Sequence, residues 1–168
     1  HIADLAKLLD GFRPGELTII AGRPSMGKTD VMNNLAVYAG WNGHLPIIFS
    51  LEMSERALVE RLIATTGNYA RLKMRNPKVH LTSAQVKTWM PTLERLNKAN
   101  MQIDDRGYLT IAQIRSQARR IIRQHPGCTP IIFVDYLQII QTDQEEYSAQ
   151  ALGKVSRGLK QMAKELNC

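Results

Sequence analysis

A chain of 168 residues, 44% of them apolar, has room for one domain with a buried core and is too apolar for a disordered tail. Its longest apolar runs fall far short of the ~20 residues a membrane span needs, and no charged-then-apolar leader opens it, so a soluble cytoplasmic protein is expected. With 22 Lys and Arg against 15 Asp and Glu, the net charge of +7 points either to an anionic partner, nucleic acid being the commonest, or to a solvated basic surface.

The first element in chain order is the apolar run LTIIA at 17–21, read as a strand that feeds AGRPSMGKTD at 21–30. There Gly22, Gly27, Lys28 and Thr29 fall in the pattern G-x-x-x-x-G-K-T. A phosphate cradle needs an entering strand, glycines that let backbone N–H groups wrap the phosphates, and a helix whose positive N-terminus faces them. Lys28 is expected to neutralise the β- and γ-phosphates of a bound triphosphate, and Thr29 to give its hydroxyl to Mg²⁺. The nucleotide-binding set is Gly22, Ser25, Met26, Gly27, Lys28, Thr29 and Asp30, with Lys28 also counted as catalytic.

Beyond the cradle, PIIFSL at 46–51, MQI at 101–103 and PIIFVDYL at 130–137 alternate with longer amphipathic stretches. Continuous Ile- and Val-rich runs read as strands buried on both faces, which predicts an α/β fold with a mostly parallel sheet flanked by helices. Thr82 with Gln85 and Thr110 with Gln113 fit capping boxes, and Glu55 lies in the first turn after Ser54. Pro91 is expected to bend or break the helix within 83–100, and GCTP at 127–130 to end the next one before its strand. Basic clusters occur at Arg119, Arg120 and Arg123 and again at 70–78; a solvated face or a subunit contact is favoured over a phosphate contact. Aromatics make up 6% of the chain, too few for a base-stacking platform. Cys128 and Cys168 form no metal-binding pattern and read as ordinary thiols. The last helical stretch spans 148–167, and because the alternation calls for a further strand, the domain at 1–168 reads as incomplete at its C-terminal end.

Two acidic residues have competing readings. Asp135 ends the apolar run Ile131–Val134, either as a metal-associated carboxylate delivered by a parallel strand or as a helix cap or turn residue. Glu52 directly follows its strand, either as the base that orients and deprotonates the attacking water or as a helix-leading acid ahead of Ser54.

Taken together, GFRPGELTIIAGRPSMGKT at 11–29, FSLEMSERALVERL at 49–62, IIFVDYLQII at 131–140 and VSRGLKQMAKEL at 155–166 resemble successive segments of the RecA-like motor domain of DnaB-type replicative DNA helicases. SLEMS and DYLQ are the most specific of these pieces. The resemblance implies a RecA-like P-loop fold and a homo-hexameric ring that hydrolyses ATP with Mg²⁺ between subunits. Such a ring translocates on single-stranded DNA and unwinds duplex, with primase and a helicase loader as partners. It assigns Lys28 and Thr29 to phosphate and Mg²⁺, Glu52 to the catalytic glutamate and Asp135 to the metal-associated aspartate. It matches Gln138 to the family glutamine of DYLQ, where strand-end packing is an equal reading. The family's polar sensor, DNA-facing loop and arginine finger would follow Cys168. Ser148 and Ala151 stand where the family usually carries a basic residue and an acid, which suggests a divergent member, of the kind a phage or mobile element encodes. A RecA-like recombinase or strand-binding ATPase, and a non-unwinding ATP-switch regulator or loader, are the alternatives.

Overall fold

The computed structural model describes residues 11–23, 25–136 and 149–168. In chain order the elements are α1 (Lys28–Trp41), β1 (Leu45–Ser50), α2 (Glu55–Thr66), a 3₁₀ turn (Arg71–Arg75), α3 (Pro77–His80), α4 (Ser83–Asn97), β2 (Gln102–Asp104), α5 (Ile111–Gln124), β3 (Pro130–Asp135) and α6 (Ala149–Leu166). The three described strands form one parallel sheet in the order β2-β1-β3.

All six residues of β1 are buried, because the strand is covered on both faces. Alternate side chains go to opposite layers, as the two-residue period of a strand requires. Leu45, Ile47 and Phe49 pack with Ile114, Ala118 and Ile121 of α5 and Val155, Leu159 and Met162 of α6. Ile48 points the other way, into a layer with Ala36 and Val37 of α1, Leu58 and Leu62 of α2 and Leu96 of α4. Each fully buried Ile, Leu or Phe of this strand contributes about 1.5–3 kcal/mol by removal from water. Pro130 is the first residue of β3, a strand position that tolerates a missing backbone donor.

The helix starts follow the local sequence. Both capping boxes form: Gln85 N–H donates to Thr82 Oγ1 and Thr82 N–H to Gln85 Oε1, and Gln113 and Thr110 repeat the exchange. Ser54 caps α2 by accepting from Ala57 N–H at 3.3 Å. Two expectations need correction. Residues 17–21 form no strand: Leu17 packs against the core, but Ile19 and Ile20 are 54% and 42% exposed, and among the described residues the run has no ladder partner. An apolar run states a demand for burial and pairing, and here the described residues do not supply it. Pro91 does not end its helix, since α4 runs through it from Ser83 to Asn97. An internal proline costs roughly 3 kcal/mol. Burial of Thr92 and Leu96 opposes that cost, and the Tyr69 hydroxyl spans the site with hydrogen bonds to Thr88 and Thr92 at 3.0 and 3.1 Å. Gln138 and Ser148 lie outside the described residues, and Ala151 is buried in α6.

Helix α1 is pressed against the turn that precedes β2. A Cβ built on Gly40 would overlap the carbonyl oxygen of Ala99. Helix propensity alone favours alanine over glycine by about 1 kcal/mol, so Gly40→Ala tests which effect wins. The expected outcome is a loss of about 1–3 kcal/mol in unfolding free energy by denaturant titration, because the added methyl meets backbone that a side-chain rotation cannot clear. A gain in stability would show that α1 and Ala99 are further apart than described.

Candidate nucleotide site

The glycine-rich loop that leads into α1 contains residues whose backbone few side chains tolerate. Ser25 and Gly27 both have positive φ, 62° and 81°, and Gly27 in this left-handed conformation is the residue that leads into α1. The first bond of the helix runs from Val31 N–H to the Gly27 carbonyl, which leaves the N–H groups of Lys28, Thr29 and Asp30 as helix-start donors. Lys28 curls back over the loop, donating to the carbonyls of Gly22 at 2.9 Å and Arg23 at 3.2 Å. Met26 stands 72% exposed at the loop's tip.

Beneath the loop, Thr29 Oγ1 donates to Asp135 Oδ2 at 2.7 Å. Asp135 ends β3 and is only 7% exposed. Its backbone is fixed on the other side, where Leu51 N–H donates to the Asp135 carbonyl at 2.8 Å. Ser50 is the register partner of Asp135, so Glu52 follows β1 at the same carboxyl edge of the sheet. Its side chain is exposed and makes no hydrogen bond or ion pair with the described residues.

Asp30 has a different environment. Its carboxylate faces Arg71 at 3.2 Å and Arg61 at 3.9 Å, and its carbonyl accepts from the Asn34 amide. Its backbone N–H, by contrast, is one of the helix-start donors left without an intrahelical partner. The basic clusters also divide. Arg71 and Lys73 are engaged by Asp30 and Gln85, Arg119 reaches Glu165 of α6 at 3.9 Å, and Arg120 and Arg123 lie exposed on α5. Both cysteines are free thiols, and burial pushes the Cys168 thiol up to about 11.

Sequence reading missed the turn after β2. Asp104, buried at the strand's end, is gripped by Arg106 through Nε at 2.9 Å and Nη2 at 2.6 Å. Asp105 Oδ2 accepts from Glu55 N–H at 2.8 Å. The hydrogen bond from Arg106 holds the Asp104 carboxyl below the usual carboxylate range, against the opposing effect of burial. A lowered folded value means that the pair's stabilisation is present above the unfolded value of about 3.9 and is lost as pH falls through the folded one.

Thr29 and Asp135 supply a hydroxyl and a carboxylate, hard oxygen donors of the kind Mg²⁺ takes alongside phosphate oxygens. Among the described residues no three His, Cys, Asp or Glu side chains gather into a richer metal cage.

The family model for the DnaB-like helicase C terminal domain matches residues 1–168. "Replicative DNA helicase DnaB" of Synechocystis sp. is 34% identical over 165 residues, covering 98% of this chain and 19% of that protein. The protein of the same name from Buchnera aphidicola subsp. Schizaphis graminum is 38% identical over 166 residues, covering 97% and 35%. The chain thus spans about a fifth to a third of the length of these relatives. A solved structure described as "ATPase Domain of G40P" superposes with a TM-score of 0.91 at 28% identity, covering 98% of this chain and 58% of that one. Another, "The Structure Of A DnaB-Like Replicative Helicase And Its Interactions With Primase", does so with a TM-score of 0.90 at 28% identity, covering 98% and 40%. The expected α/β, RecA-like architecture with a parallel sheet flanked by helices is the observed one.

The Thr29–Asp135 bond can be tested without any nucleotide. Thr29→Val keeps the side chain's shape and leaves the buried Asp135 carboxylate without that donor, so unfolding free energy is expected to fall by about 1–3 kcal/mol in denaturant titration. An unchanged value would show that solvent replaces the hydroxyl and that the bond does not tie loop to sheet.

Proposed function

The chain belongs to the DnaB-like helicase C-terminal domain family, and we propose that it is the ATP-hydrolysing motor of a replicative DNA helicase, acting on single-stranded DNA as one subunit of a homo-hexameric ring. The observation that carries this reading is the convergence at one sheet edge of the Gly22–Thr29 loop, the Thr29–Asp135 hydrogen bond and Glu52. The net charge of +7 suits a polyanionic track, and the family match favours a helicase over a recombinase or an ATP switch. Primase is a proposed partner because one structural neighbour is described with its primase interactions; a helicase loader is proposed on family resemblance alone. Among the described residues no helix is long and apolar enough to cross a membrane.

In this mechanism the helix-start N–H groups of Lys28, Thr29 and Asp30 receive the phosphate chain. The Lys28 ammonium leaves the Gly22 and Arg23 carbonyls for the β- and γ-phosphate oxygens, where charge gathers as the terminal phosphoryl group departs. Thr29 and Asp135 would hold Mg²⁺, whose role when bound is to neutralise phosphate charge. Glu52, unpaired with any described residue, orients a water for in-line attack and takes its proton. Gly22, Ser25, Met26 and Gly27 shape the loop, and the Asp30 carboxylate stays with its arginines.

Two variants of the full-length protein separate binding from chemistry. Lys28→Ala is expected to abolish nucleotide binding or turnover while the thermal unfolding midpoint stays near that of the parent. Glu52→Gln is expected to bind ATP normally and turn it over roughly 10²-fold more slowly, since the amide keeps the shape and loses the base. Steady-state ATP turnover with and without single-stranded DNA reads both. Parental turnover in Lys28→Ala would sink the motor reading, and turnover within a few-fold of the parent in Glu52→Gln would reduce Glu52 to a helix-leading acid.

A further inference from the structure

A general base must be held to a fraction of an ångström, yet Glu52 is exposed and has no side-chain partner among the described residues. Its position is therefore set by the backbone on either side of it. On the β3 side, Leu51 N–H is anchored to the Asp135 carbonyl. Within the segment, Ser50 Oγ donates to the Met53 carbonyl at 2.8 Å. On the β2 side stands the turn that begins at Asp104. The register pairs Asp104 with Phe49, so this turn leaves the sheet beside Leu51 and Glu52.

One turn is bonded to the segment on one side of Glu52 and lies close to it on the other. Asp105 Oδ2 accepts from Glu55 N–H at 2.8 Å, downstream of Glu52. Gly107 runs alongside the Leu51 carbonyl, upstream of it; a Cβ built there would sit 3.9 Å from that oxygen. The turn itself is closed by Arg106, which donates to Asp104 from Nε, from Nη2 and from its backbone N–H at 3.2 Å. Asp104 is buried at the end of β2, so the closing pair is rooted in the sheet. We propose that the Asp104–Gly107 turn is a brace for Glu52, with Asp105 and Arg106 as positioning residues for the water-activating step. The inference rests on the reading of Glu52 as the base.

The simpler alternative is that Asp105 only adds a carboxylate to the N-terminus of α2. Ser54 already caps that helix through Ala57 N–H, so an added acid there would contribute to stability and leave catalysis alone. The two accounts diverge in kinetics. A brace acts on turnover through Glu52, so its loss has no further effect once Glu52 can no longer act as a base.

The experiment uses the full-length protein carrying Asp105→Ala, Asp105→Asn or Arg106→Ala, and Asp105→Ala combined with Glu52→Gln. It reads steady-state ATP turnover and the affinity for a fluorescent non-hydrolysable ATP analogue, below the unfolding midpoint of every variant. Asp105→Ala is expected to lower turnover by about 10-fold or more with analogue affinity within about twofold, as misplacement of a catalytic group does. Asp105→Asn keeps an oxygen acceptor for Glu55 N–H and is expected to recover most of that loss, and Arg106→Ala to fall between the two. In the Glu52→Gln background, Asp105→Ala is expected to cost nothing more, the non-additivity of groups that act through one another. Parental turnover in Asp105→Ala overturns the brace, as does a matched loss of affinity, or a further drop on top of Glu52→Gln. A large Glu52→Gln defect beside a silent Asp105→Ala removes the brace and keeps the base, whereas parental turnover in Glu52→Gln removes both.

Discussion

Thr29 and Asp135 are 106 positions apart in the chain, and the 2.7 Å hydrogen bond between them fastens the glycine-rich loop and the start of α1 to the sheet. Without it the loop would be an irregular segment: its approach at 17–21 has no ladder partner among the described residues, and Ser25 and Gly27 sit at positive φ. A non-glycine residue in that region needs its surroundings to hold it there. Helix α1 supplies part of that support, through the packing of Ala36 and Val37 with Ile48 and of Gly40 against Ala99. The Thr29 hydroxyl adds to it by reaching the end of β3. A hydroxyl and a carboxylate thus serve as a structural tie in the same place where the proposed chemistry needs two oxygen ligands.

That tie would mean little if Asp135 were free to move. β3 is parallel to β1 over six register pairs, from Leu45 with Pro130 to Ser50 with Asp135, and β1 is buried on both faces. Sliding β1 by one residue would swap its two layers and expose Ile47 and Phe49 to the wrong neighbours. The core packing therefore fixes which residue of β1 emerges beside Asp135, and with it the place of Glu52. Position at the site follows from packing on the two faces of β1.

The sequence was most readable where a local rule and tertiary packing agree. Continuous apolar runs located β1 and β3, the paired Thr and Gln residues located the starts of α4 and α5, and the spacing of Gly22, Gly27, Lys28 and Thr29 located the loop. It was least readable where the two conflict. The run at 17–21 has strand composition without strand pairing, and Pro91 has breaker chemistry inside a helix kept whole by Thr92, Leu96 and Tyr69. The Asp104–Gly107 turn was illegible for another reason. Asp105 meets Glu55 across 50 positions, and no local pattern announces a contact that exists only once β2 lies beside β1.

Asp30 shows how much of a motif's chemistry its neighbours decide. An aspartate directly after Lys28 and Thr29 is well placed for the positive end of α1 and badly placed for a triphosphate, since carboxylate and phosphate repel. Arg71 and Arg61, from the 3₁₀ turn and from α2, draw the carboxylate to themselves at 3.2 and 3.9 Å. These pairs are part-exposed, so each contributes at most about 1 kcal/mol to stability, and the fold does not depend on them. Their effect is on direction: they set the charge of Asp30 against two cations and leave its backbone N–H as the group that faces out from the start of α1. A residue that the spacing counts in the nucleotide-binding set thus has its carboxylate held by two arginines, with its backbone N–H left among the donors at the start of α1.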